Sequence, residues 1–338
     1  MNVPSKPESP DEVVTHTPKP LREIAKYSAA IVVMIVASYL LKAKLAKLDW
    51  AKFQDGLTEI PPFWLAVAVV LVAVNYLILT GYDLIAVRYL KKNLSLGKVM
   101  IGAVVGYAMS NVLGWIFGGT AVRYRLYTRW GFSFKEIVAF VSILSLTFWL
   151  GMFLLAGIAF AVLPVHLPEE FAGKTVFDPH VWGWIFLSVV VFYLAACAFY
   201  RKPFKWGDDE FTLPPIALSS QQQLVSACDF ALASATLYVL LPAGSANFST
   251  VLVAYLAGMI LTVTLHVPGG FGVLDLTLLH MLSTKEGTEE EAAVLAAMVV
   301  FRVIYYFLPA AVAALLFFYV ELATKREAAA PKVVKPAA

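Results

Sequence analysis

The chain has 338 residues, 60% hydrophobic and only 14% charged, where an average soluble domain is roughly 25% charged, so composition excludes a soluble globular protein. Its net charge is +3, and the basic residues lie between apolar blocks rather than along one solvated face, which leaves nucleic-acid binding without an electrostatic basis. The mean hydropathy of +0.76 comes from repeated apolar blocks of about 20 residues, the length that crosses a hydrocarbon core of roughly 30 Å, and predicts an all-α, polytopic membrane helix bundle of about eight segments.

Residues 1–23 form a polar, proline-bearing N-terminal segment. The apolar run Ala25–Leu41 is too long for a signal-peptide core and has no small-residue cleavage site, so it is expected to remain as the first helix. Apolar segments recur at 62–88, 97–119, 136–163, 181–200, 222–242, 248–266 and 290–322, with a shorter one at 270–283. The connection Arg201–Gln221 carries Lys202, Lys205, Asp208, Asp209 and Glu210 and ends in Pro214-Pro215, the composition of a solvated loop. Residues 24–323 thus read as one transmembrane domain, and 324–338, rich in Ala, Pro, Lys and Val, as a disordered tail. Cys197 and Cys228 lie inside apolar blocks with neither metal-ligand nor disulfide spacing.

Lys and Arg counts between segments test the topology, because cytoplasmic flanks carry the excess. If every long segment simply crosses, the basic residues divide almost evenly between the two sides. If 97–119 dips in and returns to its own side while 270–283 crosses, roughly three quarters of them fall on one side. A second re-entrant turn at Pro268 with a break at Pro309 is an equal rival for the C-terminal half. One or two segments are therefore expected to be re-entrant or broken.

The segment 97–119 places a small residue at every fourth position, Gly102, Gly106, Ser110, Gly114 and Gly118, a ladder that lets another helix backbone approach closely. It ends in Gly118-Gly119, where two glycines free the chain to turn at membrane depth, tolerated only where the backbone is buried in protein or lines a wet cavity. Arg123 and Arg125 follow at once, each with a planar fork of donors suited to a phosphate oxygen pair. Tyr124 and Tyr127 suit the headgroup layer. A lipid phosphate is the natural ligand; an ordinary cytoplasmic flank is the plainer reading.

Three ordered motifs carry a family resemblance: Asn111-x-x-Gly-x-x-x-Gly-Gly-Thr-Ala-Val-Arg-Tyr-Arg-Leu-Tyr127, Pro268-Gly-Gly-Phe-Gly-Val-Leu-Asp275 and Arg302-x-x-Tyr-Tyr-x-x-Pro309. Together they resemble the transmembrane region of the lysylphosphatidylglycerol synthetase and flippase family, the bacterial multiple peptide resistance factors, over roughly residues 25–322. Full-length members of that family add a cytosolic aminoacyl-transferase domain. The resemblance implies the lipid-translocating half without the synthetase half. Relatives often carry Glu where Asp275 stands here.

Asp83, Asp229, Asp275 and Arg302 fall inside apolar segments, where each charge costs about 2.5 to 3.5 kcal/mol at a helix centre and so needs a partner or water. Arg302, Tyr305, Tyr306 and Pro309 share one stripe of the last helix, Tyr76, Thr80 and Asp83 one of the second, and Ser226, Asp229 and Thr236 one of the sixth. The bland reading is a buried Arg–Asp pair that fixes packing. The functional reading makes Arg302 a phosphate ligand and the three acids a site for an ammonium headgroup or for protons. The Pro268-Gly269-Gly270 break aims free backbone N–H groups into the bilayer, and broken helices in corresponding halves point to a transporter site. His266 and His280 lack the further ligands a metal would need, and no nucleotide, hydrolase or metalloprotease motif is present.

The reading is a bacterial inner-membrane, multi-pass flippase that moves a phospholipid with an aminoacylated headgroup between leaflets. It is a transporter rather than an enzyme, and it needs no cofactor. The alternative is a non-catalytic anchor or partner of a separately encoded lipid-modifying synthetase. The partners considered are a membrane phospholipid, such a synthetase and a second copy of the chain, and not nucleic acid.

Overall fold

The computed structural model describes residues 50–163, 178–200, 202–206, 209–283 and 288–329, together with Tyr39. The expected N-terminal segment 1–23 and, apart from Tyr39, the first apolar run lie outside the described residues. The described chain is an all-α bundle whose single departure is a short antiparallel hairpin, β1 (Phe204–Trp206) with β2 (Asp209–Phe211), in the loop expected to be solvated.

A short helix α1 (Trp50–Glu59) leads into α2 (Pro62–Tyr89), started by Pro62 at a position where the missing N–H is no loss. Helix α3 (Leu96–Leu113) ends at Gly114, which takes φ 83° and ψ 162°, a conformation open to glycine but strained for residues with a Cβ. A π-helical turn, Trp115–Thr120, then feeds α4 (Ala121–Arg129). Helix α5 (Phe134–Val162) opens with a capping box in which Ser133 and Glu136 bond each other's backbone N–H. Asp178 caps α6 (Pro179–Phe199), which turns Val191, Phe192 and Phe199 outward as a lipid-facing surface does.

Helix α7 (Ile216–Tyr238) is followed by α8 (Phe248–Thr264), a 3₁₀ turn at Pro268–Gly270 and α9 (Val273–Leu282). Thr288 caps α10 (Glu289–Arg302), whose first turn holds Glu289, Glu290 and Glu291 against the positive end of the helix dipole. A second π-turn, Val303–Phe307, joins α10 to α11 (Leu308–Ala329). The turn precedes Pro309, whose ring removes a helical N–H and displaces the carbonyl four residues back. The irregularity therefore falls just upstream of the expected break at Pro309. Helix α11 also continues to Ala329, six residues into the expected disordered tail, and 330–338 lie outside the described residues.

Five helical runs are long and apolar enough to cross a membrane: Pro62–Tyr89, Leu96–Leu113, Phe134–Val162, Pro179–Phe199 and Glu289–Ala323. Helix α7 has 23 residues but is more polar, because α2, α5 and α8 enclose it and its Gln222, Ser226, Asp229 and Ser234 are buried in protein rather than lipid.

The glycine ladder is the inner seam of a helical hairpin. A Cβ on Gly119 would strike Ser110 Oγ, one on Gly106 would lie 2.5 Å from Arg123 Cζ, and one on Gly102 2.7 Å from the Tyr127 hydroxyl. The partner that the ladder admits is thus its own return limb, and the segment re-enters rather than crosses. The reversal occurs at Gly114, not at Gly118-Gly119 as expected. Those two glycines instead let the π-turn press onto α3, where a Cβ on Gly118 would meet the Met109 carbonyl.

A second hairpin forms in the C-terminal half, where α9 returns along α8. A Cβ on Gly258 would lie 2.6 Å from Leu274 Cδ1, and one on Gly270 3.2 Å from Thr262 Cγ2. Gly269, Gly270 and Gly272 all take positive φ to make this turn. The rival topology, re-entrant at Pro268, is therefore the one observed, and 270–283 does not cross.

Contacts at the ends fix the directions. Lys92 pairs with Glu136, Tyr89 donates to the Thr212 carbonyl, and Arg125 and Arg129 pair with Glu321, all at one face. At the opposite face Gly56 packs on Ala293 and Tyr238 on Phe248. The order long helix, re-entrant hairpin, long helix thus occurs twice, as α2, α3–α4, α5 and as α7, α8–α9, α10–α11. The first hairpin enters from the basic face and the second from the opposite one, and their tips meet, with a Cβ on Gly269 lying 3.0 Å from the Asn111 carbonyl oxygen. That is the inverted arrangement of many transporters. In a background lacking Cys197 and Cys228, cysteines at Lys92 and Gly131 are expected to react with a membrane-impermeant maleimide from one side and a cysteine at Gly244 from the other. Reaction of positions 92 and 131 from opposite sides would return 97–119 to a simple crossing.

Candidate functional site

Three buried polar clusters sit where the hairpins meet the long helices. In the first, Arg123 of α4 is fully buried, with Nη2 donating to Asp83 Oδ1 of α2 at 3.3 Å, while the Tyr127 hydroxyl donates to Asp83 Oδ2 at 2.6 Å. The guanidinium carbon lies 4.2 Å from the centre of the Tyr107 ring and 5.8 Å from that of Trp115, a cation–π enclosure that partly replaces lost hydration. Arg123 Nε and Nη1 have no acceptor among the described residues.

In the second cluster Arg302, at the end of α10, grips Asp275 in the first turn of α9 through a two-pronged pair, Nε to Oδ1 at 2.8 Å and Nη2 to Oδ2 at 2.6 Å. Its remaining reach goes to the Gly269 and Gly270 carbonyls at 3.2 and 3.3 Å. Phe271 and Tyr306 face the guanidinium with their rings 4.5 and 5.2 Å away. Asp275 also accepts the Gly272 N–H at 2.9 Å, so one carboxylate caps α9 and anchors the arginine. In each pair the return limb of a hairpin supplies one partner, Arg123 from α4 and Asp275 from α9, and a long helix the other, Asp83 from α2 and Arg302 from α10.

Between them lies Asp229 of α7, which accepts from Asn75 Nδ2 and from the Tyr82 hydroxyl, both at 3.0 Å. Asn75 Nδ2 also donates to the Tyr305 hydroxyl at 2.8 Å. No cation reaches Asp229 among the described residues. The Asn75 Oδ1, Tyr76 hydroxyl and Tyr107 hydroxyl are buried without a partner among the described residues, so this region keeps unused hydrogen-bonding capacity in a low-dielectric interior.

The expected basic phosphate site therefore divides. Arg123 and Tyr127 turn inward to Asp83, whereas Arg125 turns outward to Glu321, shared with Arg129, and Tyr124 is exposed beside Phe134. Neighbours two apart on a helix point to different sides, which separates Arg123 from Arg125. Arg302 is in direct contact with an acid, Asp275, but a pocket of about 550 Å³ lies elsewhere. Gly56, Glu59, Trp64, Tyr238, Leu241 and Ala293 help line it at the face opposite the basic one, and none of the paired charges does. Asp83, Arg123, Asp229 and Asp275 are buried in this conformation, and Arg302 keeps a small exposed part. His266 Nδ1 contacts the Thr264 carbonyl, and no group of three metal-ligating side chains gathers among the described residues.

Sequence reasoning passed over Asn75, Tyr82, Tyr107 and Glu321. Asn75 carried a signal, a lone amide at the centre of a strongly apolar segment. The tyrosines carried none, since an aromatic ring in a membrane helix is ordinary.

Residues 27–207, more than half of the chain, match the family described as the lysylphosphatidylglycerol synthase TM region. The chain belongs to this family. It is 33% identical over 267 residues to the uncharacterized protein slr0712 of Synechocystis sp., covering 78% of this chain and 83% of that one. It is 32% identical over 274 residues to the inner membrane protein YbhN of Escherichia coli, covering 80% of this chain and 85% of that one. A phosphatidylglycerol lysyltransferase of Staphylococcus aureus is 27% identical over 222 residues, which is 64% of this chain but 25% of that enzyme. The protein is thus a multi-pass membrane protein of this family.

Proposed function

We propose that the protein is a bacterial inner-membrane flippase that moves a phospholipid bearing an aminoacylated, and hence cationic, headgroup between leaflets. The meeting of two oppositely inserted hairpins at one buried polar centre carries this reading. Backbone turns at membrane depth are tolerated only where protein or a wet cavity satisfies them, and inverted repeats rock about such a centre to open it to each side in turn. The relationship to YbhN and to a lysyltransferase supports a lipid substrate in the inner membrane.

In this reading Arg123, with two unused donors, takes the lipid phosphate when the centre opens. Arg302 and Asp275 hold the second hairpin's tip, and Asp229 meets the ammonium. Acyl chains stay in lipid beside α6. The rival reading, an anchor for a separate synthetase, also fits the lysyltransferase match.

Leaflet-resolved analysis separates them. Cells making lysylphosphatidylglycerol are treated with a membrane-impermeant amine reagent, with and without the protein. The flippase reading expects the outer-leaflet fraction to change at constant total lysyl lipid. A change in total lysyl lipid with an unchanged outer fraction would favour the anchor.

A further inference from the structure

Two of the three embedded acids are matched to arginines, and Asp229 is not. The groups turned toward Asp229 are uncharged or already paired; Arg88 of α2 meets α7 at Gln221 and Leu224, toward the N-terminal end of the helix and away from Asp229. Helix α2 offers Asn75, Tyr76 and Tyr82, with Asp83 held by Arg123, and α3, α8 and the second π-turn offer Tyr107, Tyr255 and Tyr305. From α5 and α6 come Thr147 and Tyr193, both bonded to Gln222, about two turns from Asp229 along the helix. Helix α10 ends in Arg302, which Asp275 holds. Tyrosines are neutral near pH 7. An ionised Asp229 would therefore leave this centre with one uncompensated negative charge inside the bilayer, held only by the neutral donors Asn75, Tyr82 and Tyr305.

We propose that Asp229 is a proton-exchange site at which a lipid ammonium and a proton take turns, so that one cationic lipid moves against one proton. With the site empty of lipid, Asp229 is a neutral carboxylic acid. When the headgroup arrives, its ammonium pairs with the carboxylate and the acid's proton leaves to the aqueous side then open, so charge and protons balance at each exchange. Asn75 is built to serve both states. As placed, its Nδ2 donates to the carboxylate and to the Tyr305 hydroxyl. A half-turn of the amide brings Oδ1, now buried and without a partner among the described residues, to accept the proton of the neutral acid and that of Tyr305. This inference rests on the flippase reading for its lipid but not for its proton.

The test uses the full chain in phosphatidylglycerol liposomes and the apolar reagent dicyclohexylcarbodiimide, which attacks protonated carboxyl groups from within the bilayer, with the modified residue mapped by mass spectrometry. Labelling is expected at Asp229 and not at Asp83 or Asp275. Its rate should rise about tenfold per pH unit of acidification above the midpoint and fall when lysylphosphatidylglycerol replaces part of the lipid. Labelling that ignores pH, or that falls on Asp83 or Asp275 and spares Asp229, would overturn the proposal even if lysyl lipid still moved. Labelling of Asp229 that depends on pH and on lysyl lipid, in a protein that moves no lipid, would keep the proton site and remove the flippase.

Discussion

Replacing Arg302 with methionine is expected to abolish lipid movement and to destabilise the protein by about 3–5 kcal/mol, because it leaves the Asp275 carboxylate buried and unpaired. The loss has two separable parts. Adding Asp275→Leu removes the stranded charge, and replacing both members of a buried pair with apolar groups is often neutral or stabilising. The double variant should therefore recover most of the thermal stability in nanodiscs, short of the α9 cap that Asp275 gives to the Gly272 N–H, but not transport, since the two carbonyl contacts at Gly269 and Gly270 that tie the hairpin tip to α10 remain lost. Arg302→Lys keeps the charge without the planar fork and should give partial activity. Full transport in the double variant would reduce the pair to a packing device.

Substituting Gly106 with leucine should be nearly as damaging, although it introduces no charge. A Cβ at this position would stand 2.5 Å from Arg123 Cζ and 2.8 Å from its Nε and Nη1, too close for the guanidinium to stay. Its displacement would strand the fully buried Asp83, again at about 3–5 kcal/mol. Gly97 is the internal control. It lies on the same helix with nothing within 4 Å of a Cβ, so Gly97→Ala should be neutral or stabilising by about 0.5–1 kcal/mol. Melting curves of the two variants in nanodiscs check the contrast. Equal effects at both positions would mean that the ladder does not hold Arg123.

Much of this architecture was legible because the bilayer imposes simple rules. Segment lengths and Lys/Arg asymmetry identified 97–119 as re-entrant, and the energetic need for partners identified Asp83, Asp229, Asp275 and Arg302 as residues to watch. The location of the reversal was not legible. Gly114 and the pair Gly118-Gly119 are equally permissive in sequence, and what selects Gly114 is how the return limb packs on α3, seen in the contacts of Gly118 and Gly119 with Met109 and Ser110. Pairing was equally hidden. Any of the acids could have met either arginine, and Arg123 read as part of a surface cluster with Arg125 until α4 was seen to fold back on α3. The return limbs of the two hairpins carry opposite charges, Arg123 on α4 and Asp275 on α9, and their partners sit on long helices that are not equivalent in the repeat, α2 and α10, so these pairs give the sequence no matching motif.

The most direct test of the central claim is transport by the purified protein. Liposomes containing lysylphosphatidylglycerol in both leaflets are first treated with an impermeant amine reagent, which consumes the outer pool, and the excess is quenched. The reappearance of reactive amine outside is then followed with time. The account predicts reappearance with the wild-type protein and none with Arg302→Met/Asp275→Leu. An outer pool that stays depleted with a folded wild-type protein, with or without an imposed pH gradient, would contradict it.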